Sequence, residues 1–153
     1  MNQPQSLNSR FLVLTALLQI ANELDACGNA YFTELTFKQW YFMLVVTHLF
    51  EKPPTLRAAA DALGTSHQNA KQIAVKLQEK NYLKIEKDKS DSRSLRLIPT
   101  RKYQIASRQW LEKDREFALT IFKDVSLEEL TTLYTACAKI EKNLKALQGI
   151  NDK

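Results

Sequence analysis

Apolar residues recur every three or four positions through most of this chain, and the period shortens to two over one short region. Leu7, Phe11, Leu14, Leu18 and Ala21, flanked by Leu17, Ile20 and Leu24, predict a first helix over about 7–26. It is apolar around more than one face, so it needs a partner beyond its immediate neighbours. Cys27-Gly28-Asn29 offers a left-handed cap at its end. Next, Thr36-Phe37-Lys38-Gln39 reads as a capping box with Leu35 and Trp40 placed as a hydrophobic staple. Trp40, Met43, Leu44 and Thr47 carry this helix to about Phe50, where Lys52-Pro53-Pro54 stops it.

Thr55 is the next N-cap, with Leu56, Ala59, Ala60 and Leu63 on one face, and Gly64 follows. Thr65 or Ser66 caps a further helix that turns Ala70, Ile73, Ala74 and Leu77 inward. Two short helices around a glycine turn make a helix-turn-helix. After Lys80-Asn81-Tyr82, residues 83–87 and 94–98 alternate with period two on either side of a charged loop, which predicts a β-hairpin closed by Pro99. Helical spacing resumes after Thr100, with Tyr103, Ala106, Trp110, Phe117 and Ile121 in one stripe. Ser126-Leu127-Glu128-Glu129 is a second capping box, and Leu130, Leu133, Cys137, Ile140, Leu144 and Leu147 approach a heptad seam that Gly149 should end. The expected fold is mainly α with a small β-hairpin. A winged helix-turn-helix spans 35–100, and N- and C-terminal helices at 7–34 and 101–149 complete a single domain of 153 residues.

Charge sharpens this picture. Residues 51–102 carry twelve Lys and Arg against six Asp and Glu, a net of +6, while the whole chain is +5. All the excess cation therefore sits on the helix-turn-helix and hairpin, as expected for a polyanion-binding surface. Catalysis finds no support: there is no glycine-rich phosphate loop, no paired-carboxylate site and no nucleophile near a base, so no enzyme is expected. Cys27, Cys137, His48 and His67 lack metal-ligand spacing, and neither a metal nor a cofactor is expected. Leu24-Asp25-Ala26-Cys27 loosely imitates a lipoprotein cleavage box. However, Glu23 and Asp25 put charge where processing needs small neutral residues, and the preceding apolar run looks too short for a bilayer. A cytoplasmic protein without a membrane partner is expected.

With Ile73 and Leu77 inward, Gln68, Lys71, Gln72 and Val75 face outward, flanked by Asn69 and Lys76, with Ser66 and His67 at the helix start. Amides pair bidentately with adenine and lysine reaches guanine or phosphate, so this face suits major-groove contact. A polar outer face is also what any surface helix shows; the hairpin and the charge segregation favour DNA. Val75 is either a thymine-methyl contact or a residue covered by the wing.

The element order, together with Leu35-Thr36-Phe37-Lys38-Gln39-Trp40, residues 55–83 and Asp88-Lys89-Ser90-Asp91-Ser92-Arg93, resembles the MarR family of bacterial transcriptional regulators. The Asp-x-x-Asp-x-Arg hairpin tip is the most specific part. The resemblance implies a homodimer built on the first and last two helices, with two winged domains on a pseudo-palindromic double-stranded site, and the leading expectation is a repressor that occupies it. Lys89 and Arg93 would then contact DNA, with Asp88 and Asp91 orienting the loop and pairing with Arg93. The resemblance also admits release by a small aromatic effector, for which Trp40, Tyr41, Phe42 and Trp110 are candidate pocket residues, although aromatics at this spacing also serve as plain core. Asn81 stands where the family usually has glycine, and Pro99-Thr100-Arg101-Lys102-Tyr103 departs from its usual Leu-Thr and glycine, which bears on how the wing joins the following helix. Neither cysteine matches the position of the peroxide-sensing branch. The competing reading is a winged-helix protein-interaction module without specific DNA readout.

Overall fold

The computed structural model describes residues 3–151 and the side chains of residues 8–147. It contains α1 (Gln3–Tyr31), α2 (Phe37–His48), α3 (Leu56–Ala62), α4 (His67–Glu79), β1 (Leu83–Lys87), β2 (Leu95–Pro99), α5 (Arg101–Ile121) and α6 (Leu127–Asn151). The chain divides into two compact units, Met1–Arg108 and Gln109–Lys153, with the boundary inside α5.

The first unit holds the helix-turn-helix and hairpin. α3 packs on α4, α2 touches both, and β1 lies along α4. Local chemistry explains the starts of these helices. The Thr36 hydroxyl accepts from the Gln39 N–H while the Gln39 side chain accepts from the Thr36 N–H, the reciprocal box expected from the sequence. Thr55 and Ser66 cap α3 and α4 by accepting from the N–H groups of Ala58 and Asn69. Between α3 and α4, Gly64 adopts φ 61°, a left-handed conformation that costs a glycine little. Phe42, Met43, Leu56, Ala59, Ala70, Ala74, Leu77, Leu83 and Leu97 are buried at its centre. The alanines let α3 and α4 approach closely.

β1 and β2 pair antiparallel, Leu83 opposite Pro99 and Lys87 opposite Leu95. Pro99 ends the ladder, where its missing N–H is harmless. Asn81, at φ 61°, takes the left-handed position expected of a glycine substitute. Its carbonyl accepts from the Thr100 hydroxyl, and the Thr100 N–H donates to the Tyr82 carbonyl, so the two ends of the hairpin are tied together.

Three sequence expectations need correction. α1 does not end at Cys27-Gly28-Asn29 but continues to Tyr31. Gly28 is needed for proximity instead: a Cβ there would lie 2.3 Å from Phe37 Cδ2 and 2.7 Å from Phe37 Cβ. The contact includes Phe37 Cβ, so rotation of the ring cannot relieve it. Gly28→Ala should therefore destabilise the protein by about 1–3 kcal/mol despite alanine's better helix propensity. Urea unfolding of the variant measures this, and equal or greater stability would contradict the packing. Secondly, with α1 continuing past Cys27, the segment Asn8–Tyr31 has 24 residues, and an 18-residue stretch within it reaches a mean hydropathy of 1.3 with 6% of that stretch buried. By length and composition alone it could cross a bilayer, so the run is not too short. Thirdly, α6 runs through Gly149 to Asn151, since one glycine weakens a helix without forbidding it. The side chains of Leu7 and of residues beyond Leu147 lie outside the described residues.

In the second unit, Ser126 and Glu129 form the second capping box: the Ser126 N–H and hydroxyl donate to the Glu129 carboxylate, and the Ser126 Oγ accepts from the Glu129 N–H. These bonds, the hydroxyl's first, hold the Glu129 carboxyl below its ordinary value. Within the heptad-like seam, Leu133, Leu144 and Leu147 are exposed, whereas Leu130, Cys137 and Ile140 are half-buried.

Candidate nucleic-acid interface

The burial of Ala70, Ala74 and Leu77 fixes the rotation of α4. It leaves Gln68, Lys71, Gln72, Val75 and Lys76 exposed along the opposite face, with Ser66 and His67 exposed at the start. Asn69 is also exposed, but its side-chain amide donates to the Thr65 hydroxyl at 2.7 Å. The Ser66 hydroxyl is engaged as the cap. At the other end, the Gln78 side-chain oxygen accepts from the Ile85 N–H at 2.8 Å, so α4 holds the outer edge of β1. The Lys80 ammonium donates to the Glu34 carbonyl, and that of Lys102 donates to the Lys80 carbonyl and lies 4.7 Å from the Tyr82 ring centre. These two lysines are occupied with backbone; Lys71 and Lys76 on the outer face have no ion pair among the described residues.

The charged loop of the hairpin is ordered from within. One Asp88 oxygen accepts from the Ser90 N–H at 2.7 Å, the Ser90 hydroxyl at 2.5 Å and the Asp91 N–H at 3.2 Å. Its other oxygen pairs with the Arg96 guanidinium Nε. Asp91 accepts from the Arg93 N–H at 3.0 Å and from the Ser94 hydroxyl at 2.7 Å. The Asp88 N–H donates to the Ser94 carbonyl, and the Ser94 N–H to the Asp91 carbonyl, which closes the loop. Both carboxylates thus bond groups of the loop itself, Asp88 as a buried residue and Asp91 as an exposed one.

The expected pairing of a carboxylate with Arg93 is absent among the described residues. Asp91 holds the Arg93 backbone instead, and the ion pair of the loop goes to Arg96. Arg93 and Lys89 are exposed at the tip. Nothing local in the sequence marks Arg96 or Gln78 for these contacts, which depend on strand register and on the lie of β1 along α4. In register Arg96 lies opposite Glu86, the obvious pair, yet it reaches diagonally to Asp88 on the same face.

The Ser90 hydroxyl first, then the Ser90 N–H, and then Arg96 hold the Asp88 carboxyl well below the usual carboxylate range. The sign follows from linkage. A carboxyl depressed in the folded state contributes order that is fully present above its unfolded value of about 3.9 and is lost as pH falls through the lower folded value. The side-chain carbon resonance of Asp88 should therefore titrate with a midpoint below about 3.9; a midpoint at or above that value would contradict the hydrogen-bonded loop.

The aromatic candidates differ in their immediate surroundings. Phe42 is fully buried core, and Trp40 is half-buried and stacks on Phe32 with centroids 4.5 Å apart. Tyr41 is exposed beside Phe37, and Trp110 is half-buried in the second unit. Among the described residues no group of three His, Cys, Asp or Glu could hold a metal ion.

No family model matches the sequence, and no curated protein does. Solved structures do match. A MarR protein from Peptoclostridium difficile has TM-score 0.74 at 18% identity over 88% of each chain. The transcriptional regulator SlyA has TM-score 0.73 at 19% identity, covering 86% of this chain and 93% of its own. An organohalide-sensing transcriptional regulator in its 2,4-dichlorophenol-bound form has TM-score 0.74 at 14% identity, covering 94% of this chain and 85% of its own. The chain thus has the winged-helix fold of MarR-family transcriptional regulators, with six helices and a two-stranded hairpin among the described residues.

Proposed function

We propose that this protein is a transcriptional regulator, acting in the cytoplasm, that binds a pseudo-palindromic double-stranded DNA site as a homodimer and represses by occupying it. The observation that carries the reading is the bonding of Asp88 and Asp91 to groups of their own loop. Anionic side chains in a loop meant for phosphate would oppose binding, but here they are consumed by loop N–H groups, hydroxyls and Arg96, leaving Lys89 and Arg93 outward. The exposed Gln68, Lys71, Gln72 and Lys76 of α4 supply the matching major-groove face, with Val75 available to a thymine methyl.

The homodimer is supported by exposed apolar residues that an isolated chain would not keep in water: Phe11, Leu14 and Leu18 on α1, and Leu133, Leu144 and Leu147 on α6. A second copy covering these residues accounts for the apolarity of α1 without a membrane. Within this reading, a small aromatic effector that loosens DNA is consistent with the ring cluster of Phe32, Phe37, Trp40 and Tyr41, and a fold relative was solved with a chlorinated phenol bound.

The test is affinity for the DNA upstream of the protein's own gene against random duplex over a salt series. Specific binding should exceed random binding and fall steeply with salt, by about 0.9 in log–log slope for each phosphate neutralised. A protein-contact module would show no preference and a shallow slope, and that result would sink the proposal.

A further inference from the structure

We infer that Arg96 is the clamp that fixes the wing to the entrance of the helix-turn-helix, and is thereby a positioning residue for DNA binding rather than a DNA contact. The consequence for DNA rests on the function proposed above; the clamp itself does not.

Arg96 divides its guanidinium between two segments. Its Nε pairs with Asp88, at the start of the wing loop, and its Nη1 donates to the Pro53 carbonyl at 2.7 Å, in the connection that leads into α3. The backbone reinforces the second link: the Leu97 N–H donates to the Pro54 carbonyl, and Thr55 forms an isolated bridge with Arg96. Asp88 in turn gathers Ser90 and Asp91, so one planar side chain connects loop, strand and the lead-in to α3. The Asp88 side chain is only 5% exposed, against 39% for Arg96. A carboxylate so shielded needs its cation, because removal of the partner leaves a poorly solvated charge. Lysine is no substitute, since a single ammonium lacks the fork that serves two acceptors in different directions.

The hairpin loop and β2 carry two arginines, and the clamp assigns them different work. Arg96 is spent internally, while Arg93 has no ion pair among the described residues and only its backbone is held. The clamp therefore sets where Arg93 is presented relative to α4 without touching the nucleic acid.

The experiment uses the full chain with Arg96→Met, Arg96→Lys and Asp88→Asn, and has two arms. In the free protein, amide hydrogen exchange at Ser90 and Asp91 should accelerate about ten-fold in both Arg96 variants, with the amides of Ala74 to Leu77 in α4 unchanged as the control for folding. Combining Asp88→Asn with Arg96→Met should add little to either change alone. Unchanged exchange at Ser90 and Asp91, or additive effects, would overturn the clamp. In the second arm, Arg96→Met should weaken duplex binding while leaving the salt slope as in the parent. A slope reduced by about 0.9 per protomer would make Arg96 a phosphate contact and overturn the positioning role. If the parent binds no duplex, the proposed function fails, and the exchange arm still decides the clamp.

Discussion

Arg93→Ala is expected to weaken specific DNA binding by about ten-fold or more per half-site and to lower the salt slope by about 0.9 per protomer. Arg93 is exposed and makes no side-chain ion pair among the described residues, so melting and dimerisation should stay within about 0.5 kcal/mol of the parent. The companion substitution, Asp91→Ala, separates an ordered loop from a merely polar one. It deletes a negative charge near DNA, which simple electrostatics would count as a gain. It also releases the Arg93 N–H and the Ser94 hydroxyl, which should loosen the tip and weaken binding. Titration of a labelled duplex at fixed salt measures both variants. Parent-like affinity for Arg93→Ala removes the wing from the mechanism, and tighter binding by Asp91→Ala means that the carboxylate only repels.

The second large effect concerns stability. Leu77 is fully buried on the inner side of α4 and anchors the helix whose outer side is proposed to read bases. Leu77→Ala should cost about 2–5 kcal/mol, the loss of apolar burial plus an unfilled cavity. Urea unfolding followed by far-ultraviolet dichroism checks this, and a loss below about 1 kcal/mol would place α4 elsewhere than on this core. Under conditions where the variant remains folded, its base preference should match the parent's, because no outward side chain has changed.

What was legible in the sequence was mostly local. The boxes at Thr36 and Ser126 depend on residues three apart, and both form. The period-two segments became β1 and β2 within one residue, and Asn81 took the left-handed position that its side chain tolerates. The winged-helix order followed from these units alone. What was not legible depended on residues distant in the chain. Gly28 looked like a cap because a cap is the commonest use of a glycine after a helical stripe, yet its role is to admit Phe37. The partner of Asp88 could not be read either: Arg93 is nearer in sequence, but strand register and the Pro53 carbonyl select Arg96. Gln78 looked like another polar residue on a solvated face, and only the lie of β1 along α4 gives it the Ile85 N–H.

Selection of bound duplexes from a random pool tests the central claim most directly. The account predicts a two-fold symmetric motif with half-sites about one helical turn apart, each holding a readable core opposite α4 and a flanking A·T preference opposite Arg93. A pool that stays random after repeated rounds, or one enriched in a single unsymmetric site, would contradict it.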